Sequence, residues 1–482
     1  MSLRRLGDFL AQLEQAGELA RIEAEVLPSL EAAELVRRSA SGGGQAMLFD
    51  SVRGACCPLL ANLLGTETRV RLALGVQSLD ETAARLDGLV HPEPPAGWFE
   101  RLKTPPYLTA MEALLPRTVR TGPCQQVARL GNDVDLGRLP ALTAAPDEPR
   151  PSITGAILFT TEPSTGRPVT GRYSLEVVDR ARLAVCLADH DEPARLVKEY
   201  ARRRQTMPVA FVLGGDPVLA LAASMPSAPG ADVCRLAALL REKPIDVVAC
   251  RSVELEVPAE AEMVLEGQIE PSEPWVEAGP LATSAGFYRP AGPAPVVQLT
   301  AITERANPVV QAIVPGPPPN EESTMRRAMA RVMLPVAKLA IPGLADYDLP
   351  PEGAARHVAV VAIEKAYAGQ AHSAAQAAWG SYWLRFARVM VVVDAEVDVR
   401  DAGQIHRAIA ANFDPGRDLI VAEGPPDPLD PAAAPGELGR RIALDATRKL
   451  PGERPGPLTL PAAMSDEMVR RVASRWPEYG LD

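Results

Sequence analysis

Apolar positions near the amino terminus recur at helical spacing. Leu6, Phe9, Leu10 and Leu13 fall on one side of a turn of 3.6, and Gly17 is a natural stop, which predicts a helix over residues 6–17. The alternation in ARIEAEV then predicts a strand, PSLEAAELVRRSA a helix and QAMLFDSV a second strand, so the first stretch reads as an α/β domain over 1–115. From Arg120 to about Thr303 the pattern changes. The apolar runs become short and are punctuated by Pro and Gly: ITGAILFTT, YSLEVVD, LAVCLA, VAFVLGG, IDVVACRSVELEV and PVVQLTAI. Short strands at fairly even spacing predict a barrel or a sandwich over 116–310.

A linker helix over 311–334 follows, with Ser323 or Thr324 as its cap, a stripe of Met325, Met329, Val332 and Met333 that reads as core, and Pro335 to bend or end it. HVAVVAIEK, a helix through Trp379 and Trp383, VMVVVDAEV, a helix through Ile405 and Ile409, and DLIVAEG then alternate as βαβαβ, a layered α/β domain over 335–455. Residues 456–482 give a Pro-rich linker and a last helix capped by Ser465, carrying Met468, Val472 and Trp476, in position to dock on a partner subunit. The fold class is therefore α/β (α+β), in three parts.

One stretch concentrates candidate chemistry. Val257–Gly286 places Glu260, Glu262, Glu266 and Glu270 just upstream of a small-residue loop containing Gly279, Ala282, Ser284, Ala285 and Gly286. Carboxylates beside a loop that admits a ligand to the backbone suit proton transfer, because burial raises a Glu pKa toward neutrality. The alternative is a solvated acidic turn.

Composition narrows the function classes. A formal charge of −11, without a clustered Lys/Arg run, argues against nucleic-acid binding. MSLRRLGDFLAQL continues into a charged amphipathic helix rather than an apolar signal core, and no run of about eighteen apolar residues offers a membrane span. Cys56, Cys57, Cys124, Cys186, Cys234 and Cys250 form no C-x-x-C pair and no Cys/His zinc spacing, so they read as reduced residues of a cytoplasmic protein. The 48 prolines and 36 glycines imply many turns, with the clearest breaks at His91–Gly97, Val314–Pro319, Glu423–Gly436 and Pro451–Pro457.

Ordered blocks along the chain carry a resemblance. VPAEAEMVLEG (Val257–Gly267) resembles the VPAxxExVLEG segment of the UbiD family, prenylated-FMN-dependent decarboxylases acting reversibly on aromatic and α,β-unsaturated carboxylic acids. LGDFLAQLEQAGELARI, LLANLLGTETRV, GGDP, SMPSAPG, DLPPEG, VVVDAEVDVRD, DPGRD and LDATRKLPGE match in the same order, from Leu6 to Glu453. Blocks spread over the whole length are far more specific than one motif. The resemblance implies that the central part is a split β-barrel of flavin-reductase-like type that carries the cofactor, and that the protein is at least a homodimer or larger homo-oligomer.

The resemblance also assigns roles. On the cofactor side fall Ser224 and Met225, in the family's S-M-P segment, His190, which lies close to the cofactor, and Arg388, at the position of a phosphate-binding Lys that a guanidinium replaces well. On the metal side fall His190, Thr170 (at or beside the family's Asn) and Asp232, next to Val233 where the family has Glu; Mg²⁺ or Mn²⁺ needs oxygen ligands that Val cannot give. Where the family reads G-I-Y-R the chain reads Gly171-Arg172-Tyr173-Ser174. Ser174 therefore stands at the Arg position beside the cofactor, with Arg172 two residues earlier on the same strand face. Where the family reads E-G-P-F-G-E the chain reads Ala278-Gly279-Pro280-Leu281-Ala282-Thr283, which removes both carboxylates in that register. Glu277, immediately upstream, or Glu176 is then the expected proton donor, with Arg172 as the substrate-side cation.

Two functions follow. One is a divergent decarboxylase or carboxylase of a small-molecule carboxylic acid. The other is a degenerate paralogue acting as a structural or regulatory subunit, in a complex with a second UbiD-like chain, or as a binder of another phosphate-bearing ligand.

Overall fold

The structure is a computed structural model that describes residues 5–91, 112–225, 230, 232–353, 356–427, 429–432, 438–453, 462 and 464–480. Most of the breaks expected from Pro-rich sequence at His91–Gly97 and Pro451–Pro457, part of that at Glu423–Gly436, and most of the SMPSAPG segment beyond Met225, lie outside the described residues.

Helix α1 (Leu6–Gln15) buries Leu6, Phe9, Leu10 and Leu13, and Gly17, at φ +70°, turns the chain after it. Strands β1 (Leu19–Ile22), β2 (Ala46–Phe49) and β3 (Leu59–Ala61) form the amino-terminal sheet, β1 and β2 parallel, β2 and β3 antiparallel.

The central part is a closed antiparallel barrel of six strands: β4 (Ser152–Thr161), β5 (Pro168–Val177), β6 (Arg182–Val185), β7 (Met207–Leu213), β8 (Met263–Ile269) and β9 (Val296–Glu304). Around the wall the order is β8-β7-β4-β5-β6-β9, and β9 pairs with β8 to close it. Closure removes sheet edges, and the inward residues of β4, β7 and β8 are almost wholly buried. The expected run 245–257 forms two short strands, Asp246–Ala249 and Glu256–Pro258, but these join Arg117–Val119 in a separate sheet outside the barrel. Strand β10 (Val310–Ala312) then returns to pair with β3, so the amino-terminal sheet takes its fourth strand from beyond the barrel.

Helix α2 (Glu321–Val332) is capped one turn earlier than expected. Asn320 accepts from the Ser323 N–H at 2.9 Å while the Asn320 N–H donates to Ser323 Oγ at 3.0 Å, a reciprocal box that makes Ser323 the third helical residue. Met325, Met329 and Val332 are core, and a second short helix, Leu334–Ala340, starts at the expected Pro335 bend.

The carboxy-terminal sheet comprises β11 (Leu344–Asp348), β12 (Val358–Ile363), β13 (Val389–Asp394), β14 (Leu419–Gly424) and β15 (Gly439–Asp445), in the order β11-β12-β13-β15-β14. Helix α3 (Gln370–Gly380) crosses between the parallel strands β12 and β13, burying four alanines and Trp379; Trp383 lies beyond its end. The expected third parallel strand, DLIVAEG, is instead the antiparallel edge β14, and β15 takes the inner position. Every second residue of β14 faces solvent, which suits an edge. Helix α4 (Ala402–Asn412) follows β13, and α5 (Asp466–Ser474), capped by Ser465 as expected, buries none of its residues. Among the described residues no helix is long and apolar enough to cross a membrane.

Candidate active site

A cavity of about 330 Å³ opens on the barrel side wall and is closed by α2 and the carboxy-terminal domain. It exists because two barrel strands depart from regular pairing. The register of β4 against β5 shifts between Ile153 and Ala156, and the unpaired Thr154 and Gly155 line the cavity. Gly155 has φ +82°, and a Cβ there would lie 3.1 Å from Ile313 Cγ1, so glycine meets both the conformation and the close approach. Opposite, the middle of β5, Gly171 to Ser174, is only half-buried where the rest of that barrel face is packed. Thr170, Arg172 and Ser174 fall on one side of it.

The cavity is cationic. Five arginines line it, Arg172, Arg289, Arg326, Arg356 and Arg385, against the three carboxylates Asp191, Glu192 and Glu322. Glu322 is shared by Arg172 and Arg326, and the two guanidiniums outweigh its burial and hold its carboxyl down at about 2. Glu192 is committed to Arg167 at 2.6 Å. Behind the wall, Asp427 pairs with Arg356 and lies 2.9 Å from His357 Nε2. Burial lowers Arg356 to about 10, which leaves it charged at neutral pH.

One corner is aromatic as well as cationic. The His190 ring lies 5.1 Å from that of Phe386, and the guanidiniums of Arg385 and Arg356 stand 4.6 and 4.9 Å from the Phe386 centroid; Arg385 also lies 4.9 Å from Tyr382. Burial lowers the His190 pKa; Arg385 and Arg356 lower it further, against the opposing pull of Asp191 and Asp427. Tyr173 is half-buried, and desolvation pushes its phenol well above the ordinary tyrosine range, with Asp191 and Glu192 adding to the effect. Burial likewise raises the Cys186 thiol to about 11.

Several polar atoms of the lining are buried without a hydrogen-bond partner: Thr154 Oγ1, Arg172 Nη1, Arg356 Nε and Arg385 Nε. Folded proteins satisfy nearly all such groups, so a cluster of orphaned donors on one cavity marks a place for a ligand's acceptors.

The residues expected from sequence divide sharply. Thr170, Arg172, Ser174, His190, Ser224 and Met225 meet in this cavity. Arg388, Asp232, Glu277 and Glu176 are not in its lining. Arg388 turns to Asp430 at 2.8 Å and is 39% exposed. Asp232 caps the helix Val233–Arg241 by accepting from the Cys234 N–H. Glu277 projects to solvent from a strand whose carbonyl accepts from Arg150. Glu176 is wholly buried, paired with Arg150, and accepts from the Gly279 N–H at 2.7 Å, holding the small-residue loop from behind.

The four upstream acids do not line the cavity. Glu266 accepts from the N–H groups of Arg251 and Ser252 and from the Ser252 hydroxyl, Glu260 and Glu262 pair with Arg305, and Glu270 accepts from Ser272. Sequence reasoning missed Arg326, Arg356, Arg385, Glu322 and Tyr173. The only local signal for Arg385 was its place inside the aromatic run SYWLRF, where an Arg between aromatic residues is poorly placed for solvent.

The donor set does not suit a divalent metal. Among the described residues no group of three or more His, Cys, Asp or Glu side chains is gathered. Thr170 Oγ1 already accepts from the Val233 N–H at 2.9 Å, and Asp232 faces its own helix. His190 faces Phe386, with two guanidiniums close enough to repel a dication. A flavin phosphate, by contrast, suits orphaned guanidinium donors.

Fold and cavity together define a split-barrel protein with an arginine-lined cavity facing a mixed α/β domain. Models of the 3-octaprenyl-4-hydroxybenzoate carboxy-lyase match its amino-terminal domain at residues 10–86, its Rift-related domain at 117–318 and its carboxy-terminal domain at 323–446. An uncharacterized protein of Aquifex aeolicus (strain VF5) is 34% identical over 484 residues, covering 99% of each chain. The chain belongs to the UbiD family. Among solved structures, the UbiD-class enzyme HmfF from Pelotomaculum thermopropionicum in complex with FMN is 29% identical with a TM-score of 0.75, covering 95% of this chain and 97% of that one. An evolved dimeric form of the same enzyme, in complex with prFMN, is 28% identical with a TM-score of 0.73 over the same shares. The vanillic acid decarboxylase of Sedimentibacter hydroxybenzoicus (ShVdcCD) in closed form, 22% identical, shares the fold with a TM-score of 0.87 over 99% of this chain and 100% of that one.

Proposed function

We propose that the protein is a carboxy-lyase that uses prenylated FMN to decarboxylate, or in reverse to carboxylate, an aromatic or α,β-unsaturated carboxylic acid. The observation that carries this reading is the set of orphaned cationic donors on a barrel cavity, in a chain similar over 95% of its length to HmfF, an enzyme solved in complex with FMN and with prFMN. When bound, the modified flavin supplies the electrophilic centre that makes loss of CO2 feasible. Arg172, pinned by Glu322 through Nη2, keeps Nη1 free to orient a substrate carboxylate. Ser224 and Met225, both buried at the cavity wall, bound the cofactor side together with Ser174 and His190. Leu281, Ile313 and Phe386 exclude water from the reacting carbon. With Glu277 turned to solvent and Glu176 buried against Arg150, the proton that replaces CO2 is held by Tyr173, whose hydroxyl stays protonated at neutral pH.

The test is co-production with a flavin prenyltransferase, followed by the cofactor's absorbance and by exchange of labelled CO2 across a panel of aromatic and α,β-unsaturated acids. Cofactor absorbance with exchange on at least one acid is expected; absence of the cofactor refutes the reading. A second reading, a non-catalytic subunit, is favoured by Ala278 and Thr283 standing where the family has carboxylates. It predicts bound cofactor without exchange and co-purification with a second UbiD-like chain. The dimeric HmfF variant supports a homodimer or larger homo-oligomer, and ShVdcCD a multi-chain assembly, which light scattering distinguishes.

A further inference from the structure

We propose that this chain grips the phosphate of its flavin with guanidinium groups at the His190–Phe386 corner, Arg385 foremost, in place of a divalent cation. The inference rests on the flavin reading above and concerns how that ligand is held.

Arg385 makes no ion pair with any carboxylate among the described residues; its contacts are the faces of Tyr382 and Phe386, and its Nε is buried without a partner. Arg356, across the same Phe386 ring, has one carboxylate, Asp427, and again an orphaned Nε. A guanidinium nitrogen left without a partner against aromatic rings is costly to desolvate, and a fold that keeps one there gains when an anion arrives. The aromatic faces hold both cations in place before binding, so little side-chain freedom remains to be lost. A phosphate dianion accepts the planar, several-pronged donation that guanidinium offers. The other charged groups at this corner are Asp191, whose carboxylate accepts from the Ala188 N–H at 2.7 Å and lies 4.0 Å from His190, Glu192, held by Arg167, and the paired Glu322 and Arg326, which act on Arg356. None of these carboxylates faces Arg385 as an ion-pair partner. A divalent ion bridging phosphate to His190 would lack the carboxylate that Val233 replaces and would be repelled by both arginines.

The experiment uses the full-length protein made without the prenyltransferase, stripped with EDTA and titrated with FMN or riboflavin, following flavin fluorescence. FMN should bind with the same Kd, within twofold, in EDTA or in Mn²⁺, and riboflavin, which lacks the phosphate, more weakly. Arg385→Gln should weaken FMN about 10–100-fold, the worth of one charged hydrogen bond, and leave riboflavin unchanged, with Arg385→Lys restoring part of the loss. Because it removes an unpaired cation, the Gln variant should melt no lower than wild type. Should that variant fail to fold, inorganic phosphate competing with FMN on EDTA-treated wild type, and not with riboflavin, supports the same conclusion. FMN binding that vanishes in EDTA and returns with Mn²⁺ overturns the inference while leaving the flavin reading intact. The same holds if Arg388→Gln abolishes FMN affinity and Arg385→Gln does not. Failure to bind FMN under either condition overturns both.

Discussion

Replacing Glu322 by Gln tests the charge logic of the cavity directly. The carboxylate is 5% exposed and is the shared counterion of Arg172 and Arg326, whose side chains are themselves only 11% and 12% exposed. Its carboxyl is held down at about 2 against 4.5 for a free one. At 1.36 kcal/mol per unit that difference corresponds to about 3 kcal/mol of folding stability, close to the ~3–5 kcal/mol typical of breaking a buried pair from one side. Because the folded pKa is depressed, the contribution is fully present above about pH 4.5 and is lost as pH falls toward 2. Urea unfolding of wild type and Glu322→Gln should therefore show the variant less stable by about 3 kcal/mol at pH 7, with the gap constant down to about pH 5 and narrowing below it. FMN and inorganic phosphate should also raise the variant's midpoint more than the wild type's, since the anion replaces a missing negative charge. A variant as stable as wild type at pH 7, or a gap that widens on acidification, would falsify the claim that Glu322 is the counterion of this cluster.

The neighbouring Glu321 predicts the opposite sign. Burial pushes its carboxyl up to about 7, so its folded pKa lies above the unfolded one, and it costs stability as pH rises from about 4.5 to 7; Glu321→Gln should be more stable than wild type by about 3 kcal/mol at pH 8 and equal to it near pH 4.5, measured by the same unfolding curves. Tyr173→Phe should lower exchange of labelled CO2 or of the substrate α-proton about 10²–10⁴-fold while keeping cofactor absorbance, and undiminished exchange refutes its role. Glu266→Gln removes a carboxylate that caps the Arg251 and Ser252 N–H groups, and should lose about 2–3 kcal/mol in urea unfolding with the FMN Kd unchanged. Gly155→Ala puts a Cβ at φ +82° and 3.1 Å from Ile313, and should lose about 1–2 kcal/mol by the same measure and weaken FMN binding.

The barrel was legible because each strand carries its own signal. Runs such as ITGAILFTT and VAFVLGG are apolar, β-branched and bounded by turns, and five of the six barrel strands coincide with runs singled out by that pattern, the sixth with the VPAEAEMVLEG segment. What the pattern lacks is which sheet a strand joins, hence the displacement of Asp246–Ala249 from the barrel and the exchange of β14 for β15. Carboxylates were the least legible. Glu260, Glu262 and Glu266 differ from catalytic acids only in finding Arg305 or backbone N–H groups, partners set by loop paths far away in sequence. Arg388 and Arg385 stand three residues apart. Alignment with the family's lysine favours the first, but Asp430, forty-two residues on, takes its guanidinium and leaves the second at the cavity.

The origin of the five cavity arginines bears on how the parts of the chain act on one another. Arg172 and Arg289 come from the barrel region, Arg326 from α2, and Arg356 and Arg385 from the carboxy-terminal domain. Like charges from separate parts repel across the cavity they enclose; Glu322 pairs directly with Arg172 of the barrel and Arg326 of α2, and acts on Arg356 without an ion pair. Asp427 pairs with Arg356 from within its own domain and reaches the barrel side only through its pull on His190. An anion lodged at the His190–Phe386 corner is then the counterion shared by the barrel and the carboxy-terminal domain, and its binding energy is spent partly on bringing those two walls together. Substrate affinity at Arg172 and phosphate affinity at Arg385 should therefore be coupled even though the two guanidiniums share no carboxylate.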